Sequence, residues 1–191
     1  MEIPYQLTDS DYQDFYEFNA LHTPQGQKAM RTQILMMPII LGLFWVITFI
    51  MGVGTTFLLI QIPIYLAASW MWAQTQKKSL RSTAAGVIQK LEKKGMHAYN
   101  KEGSLCFEDH SFCDKGDADA AQLSYSDITA VYSYSKGIYL YLENQRVILL
   151  PWRLFENDSD KIAFCDLLKK KVSAEKIFDN ILDRGKNESK I

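Results

Sequence analysis

The side chains best suited to chemistry lie between His97 and Asp119. Cys106, His110 and Cys113 follow a Cys-x3-His-x2-Cys spacing, which resembles a metal-binding pattern. A structural zinc site takes four ligands in tetrahedral geometry. In one alternating strand Cys106 and His110 share a face and Cys113 points the other way, so a fourth ligand would have to be His97. Buried thiols beside a surface histidine are the simpler reading, and no metal is expected. The stretch Asp114-Lys115-Gly116-Asp117-Ala118-Asp119 superficially suggests calcium. It lacks the bidentate Glu and the ligand spacing of a calcium loop, and reads as a solvated turn. No GxSxG, HExxH, P-loop or GxGxxG motif occurs. The scattered histidines and acids form no acid/base pair, so the expectation is a non-enzymatic chain with no catalytic residues and no cofactor. Tyr125, Tyr132, Tyr134, Tyr139 and Tyr141 are suited to stacking on bases, but basic residues are not interleaved with them. Sheet packing or partner contact is expected of them, and no nucleic acid.

These residues sit in a chain of two compositions. It has 191 residues, 21 basic and 22 acidic side chains, and a net charge of -1, which gives no overall attraction to a polyanion. From Thr32 to Gln76 there is no Lys, Arg, Asp or Glu, whereas the flanking sequence is densely charged. The 3 cysteines are odd in number and form no CxxC pair, which favours reduced thiols in a cytosolic setting over a disulfide framework. The polar, acidic N-terminal region does not read as a cleavable signal peptide.

A helix needs about 20 apolar residues to cross the hydrocarbon core, so the uncharged stretch is long enough for two crossings. Its turn-forming cluster is Gly52-Val53-Gly54-Thr55-Thr56, which places spans at about Ile34–Met51 and Thr56–Trp72. Pro38 then falls near the start of the first span. Pro63 lies inside the second, where Gln61 or a Thr is positioned to satisfy the carbonyl that it frees. Trp45 falls mid-span, and Trp70 and Trp72 fall at interfacial depth. Lys28 and Arg31 precede the hairpin, Lys77, Lys78 and Arg81 follow it, and the turn carries no charge. The positive-inside rule then puts both termini in the cytoplasm of a multi-pass protein in the bacterial inner membrane. A soluble core built on so long an apolar run is implausible in so short a chain.

The remainder divides by periodicity. Residues 1–31 read as a strand (Ile3, Tyr5, Leu7) and a helix capped by Thr8 and Asp11, then a turn at Thr23-Pro24-Gln25-Gly26. The hairpin occupies 32–76. Residues 77–95 read as an amphipathic stalk that continues the second span and ends at Gly95, with Leu80, Ala84, Val87 and Leu91 on one stripe. From 96 the period becomes two, and SLCFEDHSFC, AAQLSYSDI, TAVYSYS, GIYLYLEN and QRVILLPW read as strands of an antiparallel meander. Ile138, Leu140 and Leu142 share one face, and Tyr139 and Tyr141 the other. A helix capped near Asn157-Asp158 closes the domain at 172, with Ile162, Cys165, Leu168 and Val172 buried. The tail, 173–191, begins weakly amphipathic and ends polar.

The segment from Ser124 to Lys171 resembles the C-terminal domain of the YcxB-like family of bacterial membrane proteins. The likeness rests on Tyr125-Ser126-Asp127-Ile128, a hydrophobic hairpin, and Leu149-Leu150-Pro151-Trp152-Arg153-Leu154-Phe155 before a closing helix. Trp is more usual at the position of Tyr125, and a basic residue often stands at that of Trp152. The N-terminal Tyr5, Leu7, Thr8, Asp11, Tyr12 and Phe15 and the two spans are also similar to that family. The resemblance implies an α+β membrane protein: a transmembrane helical hairpin plus a small antiparallel, pleckstrin-homology-like β domain closed by a C-terminal helix. It brings no catalytic residues, and it makes Tyr125, Asp127, Pro151 and Phe155 fold-determining.

The expected role is a membrane-anchored adaptor that presents this domain to lipid headgroups or to a membrane or cytoplasmic protein partner. Lys77, Lys78, Arg81, Trp152 and Arg153 are the candidate contact residues, since basic groups suit anionic surfaces and Trp suits interfacial burial. The alternative is a structural accessory or immunity-type subunit of a larger membrane assembly. Small residues in the spans (Gly42, Gly52, Ala67, Ala68, Ser69) permit close helix packing there.

Overall fold

A computed structural model describes residues 1–52, 54–116, 122–144 and 146–178. The chain divides into two compact units, 16–86 and the combination of 1–15 with 87 onward.

The first unit is helical. The second half of helix α1 (Asp9–His22) leads into α2 (Pro24–Ile50), which is followed by α3 (Thr55–Lys78) and the start of α4 (Leu80–Glu92). The expected turn at Thr23–Gly26 is instead the beginning of a 27-residue helix. Thr23 is its N-cap, accepting from the Gly26 N–H at 3.0 Å while its own hydroxyl donates to the Asn19 carbonyl at 2.7 Å. Pro24 occupies the first turn, where its missing N–H costs nothing. Gly26 lies so near α1 that a Cβ there would stand 1.8 Å from the Asn19 carbonyl oxygen. Because the helix starts so early, Pro38 is interior to it. The α2–α3 turn places Gly52 at φ +75°, a conformation that glycine adopts without steric cost. A single residue separates α3 from α4: Ser79, whose N–H bonds to the Thr75 carbonyl at 2.9 Å and whose carbonyl accepts from the Thr83 N–H at 2.8 Å.

The other unit is built on two four-stranded sheets. Strands β1 (Glu2–Gln6), β2 (Glu102–Phe107), β3 (Ser111–Asp114) and β4 (Gln122–Ser124) form the first in that order, all antiparallel. The second has the order β7-β6-β5-β8, from β5 (Ile128–Tyr134), β6 (Gly137–Leu142), β7 (Val147–Pro151) and β8 (Ile177–Phe178). The β2–β3 segment is not the single strand its alternation suggests, for Glu108-Asp109-His110 turn the chain back. The start of the tail, whose pattern is weakly amphipathic, forms a 3-10 turn (Ala174–Lys176) and then β8, which adds to β5 in parallel. The rest of the tail lies outside the described residues.

The core joins Leu105, Phe107 and Phe112 of the first sheet to Ile128, Ile138, Leu140 and Leu150 of the second. Helix α5 (Asp158–Lys171) closes it with Phe164, which meets Phe107 edge-on at 5.1 Å and Phe155 at 5.5 Å. The buried stripe is therefore Phe164, Leu168 and Val172, while Ile162 is 62% exposed and Cys165 half-exposed. Asn157 holds the N-cap position of α5 without a side-chain cap bond. β6 is buried on both faces, since the opening turns of α1 bring Phe15 against Tyr139 at 5.3 Å. That contact buries the tyrosine face, and burial raises the Tyr139 and Tyr141 hydroxyl pKa values well above the ordinary one.

Candidate membrane anchor and contact surface

Helices α2 and α3 are long and apolar enough to cross a membrane, with mean hydropathies of 2.2 and 1.4 over their most apolar windows. Only 6% and 11% of those windows is buried. Leu35, Ile39, Leu43, Phe44, Ile47 and Phe49 are each between 53% and 61% exposed. A core helix of a soluble protein hides such residues, so these helices present a bare apolar exterior.

Polar groups lie instead between the two helices. Gln33 Nε2 donates to Gln76 Oε1 at 2.7 Å, and Trp72 Nε1 donates to the Gln33 carbonyl at 3.2 Å. Midway, Trp45 Nε1 donates to the Leu58 carbonyl at 3.3 Å. Nearer the turn the Thr48 hydroxyl donates to the Trp45 carbonyl at 2.8 Å and lies 3.5 Å from Gln61 Oε1. Gln61 thus faces α2. Thr48, Gln61 and Gln76 are 9%, 7% and 8% exposed, so the polar surface of the hairpin is turned inward and bonded.

The basic residues gather at the open end of this hairpin, beyond the Gln33–Gln76 bridge. Lys77 and Lys78 fill the last turn of α3, where cations complement the helix dipole, and both are exposed. Arg81 is exposed too, with Nε on Glu17 Oε2 at 2.9 Å.

Trp152 and Arg153 occupy a short 3-10 turn after β7, and their side chains are used within the β unit. Trp152 Nε1 donates to the Tyr134 carbonyl at 2.7 Å and its ring lies 6.0 Å from Phe155. Arg153 forks onto Asp11, with Nε at 3.1 Å and a terminal nitrogen at 2.5 Å, and also donates to the Gln6 carbonyl at 2.6 Å. Asp11 completes the cap of α1 by accepting from the Thr8 N–H and hydroxyl, each at 2.7 Å. Burial pushes the Asp11 pKa up, but the bonds from Arg153 and Thr8 outweigh it and hold the carboxyl below its usual range. Arg153 keeps 47% of its side chain exposed, so it serves as a tie with one open edge.

A buried ionic cluster escaped sequence reasoning altogether. Asp114 Oδ1 accepts from the Tyr5 hydroxyl at 2.7 Å and the Gly116 N–H at 3.0 Å, and Oδ2 accepts from Arg146 at 2.5 Å. Burial and the adjacent Asp114 carboxylate push the Tyr5 hydroxyl pKa well up. The aspartate read as part of a calcium-like loop is thus a structural anchor, and residues 117–121 of that loop lie outside the described ones. Among the described residues, no group of three or more His, Cys, Asp or Glu is arranged to hold a metal.

Tyr125 is buried with its hydroxyl on the Glu108 carbonyl at 2.8 Å, and Asp127 accepts from the Ser124 N–H at 2.9 Å in a capping box. Comparisons with protein-family models, with curated proteins and with solved structures found no match to the chain.

Proposed function

We propose that the chain is a non-enzymatic binding module anchored in the bacterial inner membrane by the α2–α3 hairpin. In this reading both termini are cytoplasmic, and the β unit is a pleckstrin-homology-like domain of YcxB type offered to a protein partner or to lipid headgroups. The supporting observation is the inversion of the hairpin, apolar outside and hydrogen-bonded inside, which is costly in water and favourable in lipid. Length agrees: Gln33 to Ile50 of α2 spans about 27 Å at 1.5 Å per residue, against a hydrocarbon core of about 30 Å. Lys28, Arg31, Lys77 and Lys78 then flank the lipid on one side, each adding about 1 kcal/mol near an anionic surface. Two packed sheets closed by α5 support the domain reading.

A second reading, an accessory or immunity-type subunit, draws on Gly42 and Ala67, small residues exposed on the outer surface of the hairpin. Purification of the tagged chain from native membranes distinguishes the two. A stoichiometric membrane partner supports the subunit, and isolation with anionic lipid alone supports the tether. Recovery in the soluble fraction after lysis contradicts both.

A further inference from the structure

Because β2 and β3 form a hairpin, Cys106 and Cys113 stand directly opposite each other, in register, on the sheet face away from Phe107 and Phe112. The ladder bonds Lys115 N–H to Ser104 O and Glu108 N–H to Ser111 O, both 2.9 Å, lie two residues to either side. Cys106 and Cys113 therefore form a hydrogen-bonded pair, for which Cα atoms stand about 5.5 Å apart. A disulfide accepts Cα separations of about 4.4–6.8 Å. Both thiols are half-exposed and within hydrogen-bonding contact of one another. We propose that Cys106 and Cys113 form a reversible dithiol–disulfide pair, oxidised by exchange with a low-molecular-weight disulfide such as glutathione disulfide.

The surroundings divide the work between the two sulfurs. Cys106 Sγ donates to Glu2 Oε1 at 3.3 Å, and the same oxygen accepts from Lys115 Nζ at 3.1 Å and Ser104 Oγ at 3.0 Å. Cys106 Sγ is thus in contact with the Glu2 carboxylate, and the Lys115 ammonium lies on the same oxygen. Burial and the Cys106 thiol push the Cys113 pKa up, so Cys113 is the weaker nucleophile and acts second, where its attack is intramolecular. The Cys106 thiolate attacks one sulfur of the small disulfide, forming a mixed disulfide and releasing one thiolate. The Cys113 thiolate then attacks Cys106 Sγ, closing the intramolecular bond and releasing the second thiolate. The protons from the two cysteines end on the two released thiols, so two protein S–H bonds are exchanged for one S–S bond. Thiol–disulfide exchange runs through the same mixed disulfide in either direction, so an excess of the small thiol returns the pair to its dithiol form. Cys165 lies on α5, away from this strand pair.

The full-length protein in mild detergent, equilibrated with glutathione mixtures of rising oxidised fraction, acid-quenched and alkylated, tests this by intact mass. Maleimide uptake should fall from three cysteines to one, with a peptide linking Cys106 to Cys113 and a monomer on a non-reducing gel. Cys165→Ser should fall from two to none, and Cys113→Ser should stop at a glutathione adduct on Cys106. Full alkylation at every ratio, a lasting adduct in the wild type, or an intermolecular dimer would each overturn the proposal.

Discussion

Arg146→Met is the most informative single change in the β unit. The Asp114 side chain is 6% exposed and that of Arg146 25% exposed, their contact is 2.5 Å, and the other Asp114 oxygen is held by Tyr5 and Gly116. Removing the arginine leaves a buried carboxylate with one oxygen deprived of its counter-charge. Breaking a fully buried pair costs about 3–5 kcal/mol, and the water reaching Arg146 lowers the expected loss to about 2–3 kcal/mol. For a small domain each kcal/mol moves Tm by about 4–8 °C, so Tm should fall by roughly 8–24 °C. Thermal unfolding followed by far-UV circular dichroism in detergent reads this directly. The loss comes from an uncompensated charge, so adding Asp114→Asn to the Arg146→Met protein should restore part of it, about 1 kcal/mol or more. A drop below about 3 °C for Arg146→Met, or a double variant no more stable than the single one, refutes the reasoning.

Other outcomes follow from other contacts. The folded Asp11 pKa is depressed, so its contribution is intact above the ordinary carboxylate value of 3.8 and disappears as pH falls through the folded one. The Tm gap between wild type and Asp11→Asn should be constant from neutral pH down to about pH 5 and close below pH 4, with a size near 1 kcal/mol because Arg153 is half-exposed. Gly26→Ala drives a methyl into the Asn19 carbonyl and should destabilise the α1–α2 corner by about 3 kcal/mol, seen as earlier unfolding in detergent. Ile47→Lys, at a 54% exposed position, should cost about 3 kcal/mol of insertion and deplete the carbonate-resistant membrane fraction. A hairpin bathed in water would show the opposite, a gain in solubility.

Local chemistry was legible in the sequence, and long-range pairing was not. The apolar run, the Gly52 turn, the Thr8–Asp11 cap and the alternation of β5 to β7 are patterns within a few residues, where covalent geometry and water decide. Thr23-Pro24 misled because cap and turn share residue types, and only the following helix separates them. His110 misled because alternation in SLCFEDHSFC persists through a tight turn. Leu168 and Val172 of the expected α5 stripe are buried, but Ile162 and Cys165 give way to Phe164, which is chosen by Phe107 and Phe155, rings on other elements. Tyr5, Asp114 and Arg146 come together across 109 and 32 residues, a proximity that no spacing encodes. The same holds for Trp152 and Arg153, whose types suit a surface anchor and whose partners lie inside the fold.

The central claim is that the hairpin crosses the membrane with its turn outside, and cysteine accessibility in intact bacterial cells tests it most directly. In a background of Cys106→Ser, Cys113→Ser and Cys165→Ser, single cysteines are introduced as Gly54→Cys at the turn, where a Cβ meets open space, and Lys94→Cys after α4. The account predicts that an impermeant maleimide labels the turn in intact cells and labels position 94 only after lysis. Labelling of both positions before lysis, of position 94 alone, or recovery of the chain in the soluble fraction contradicts it.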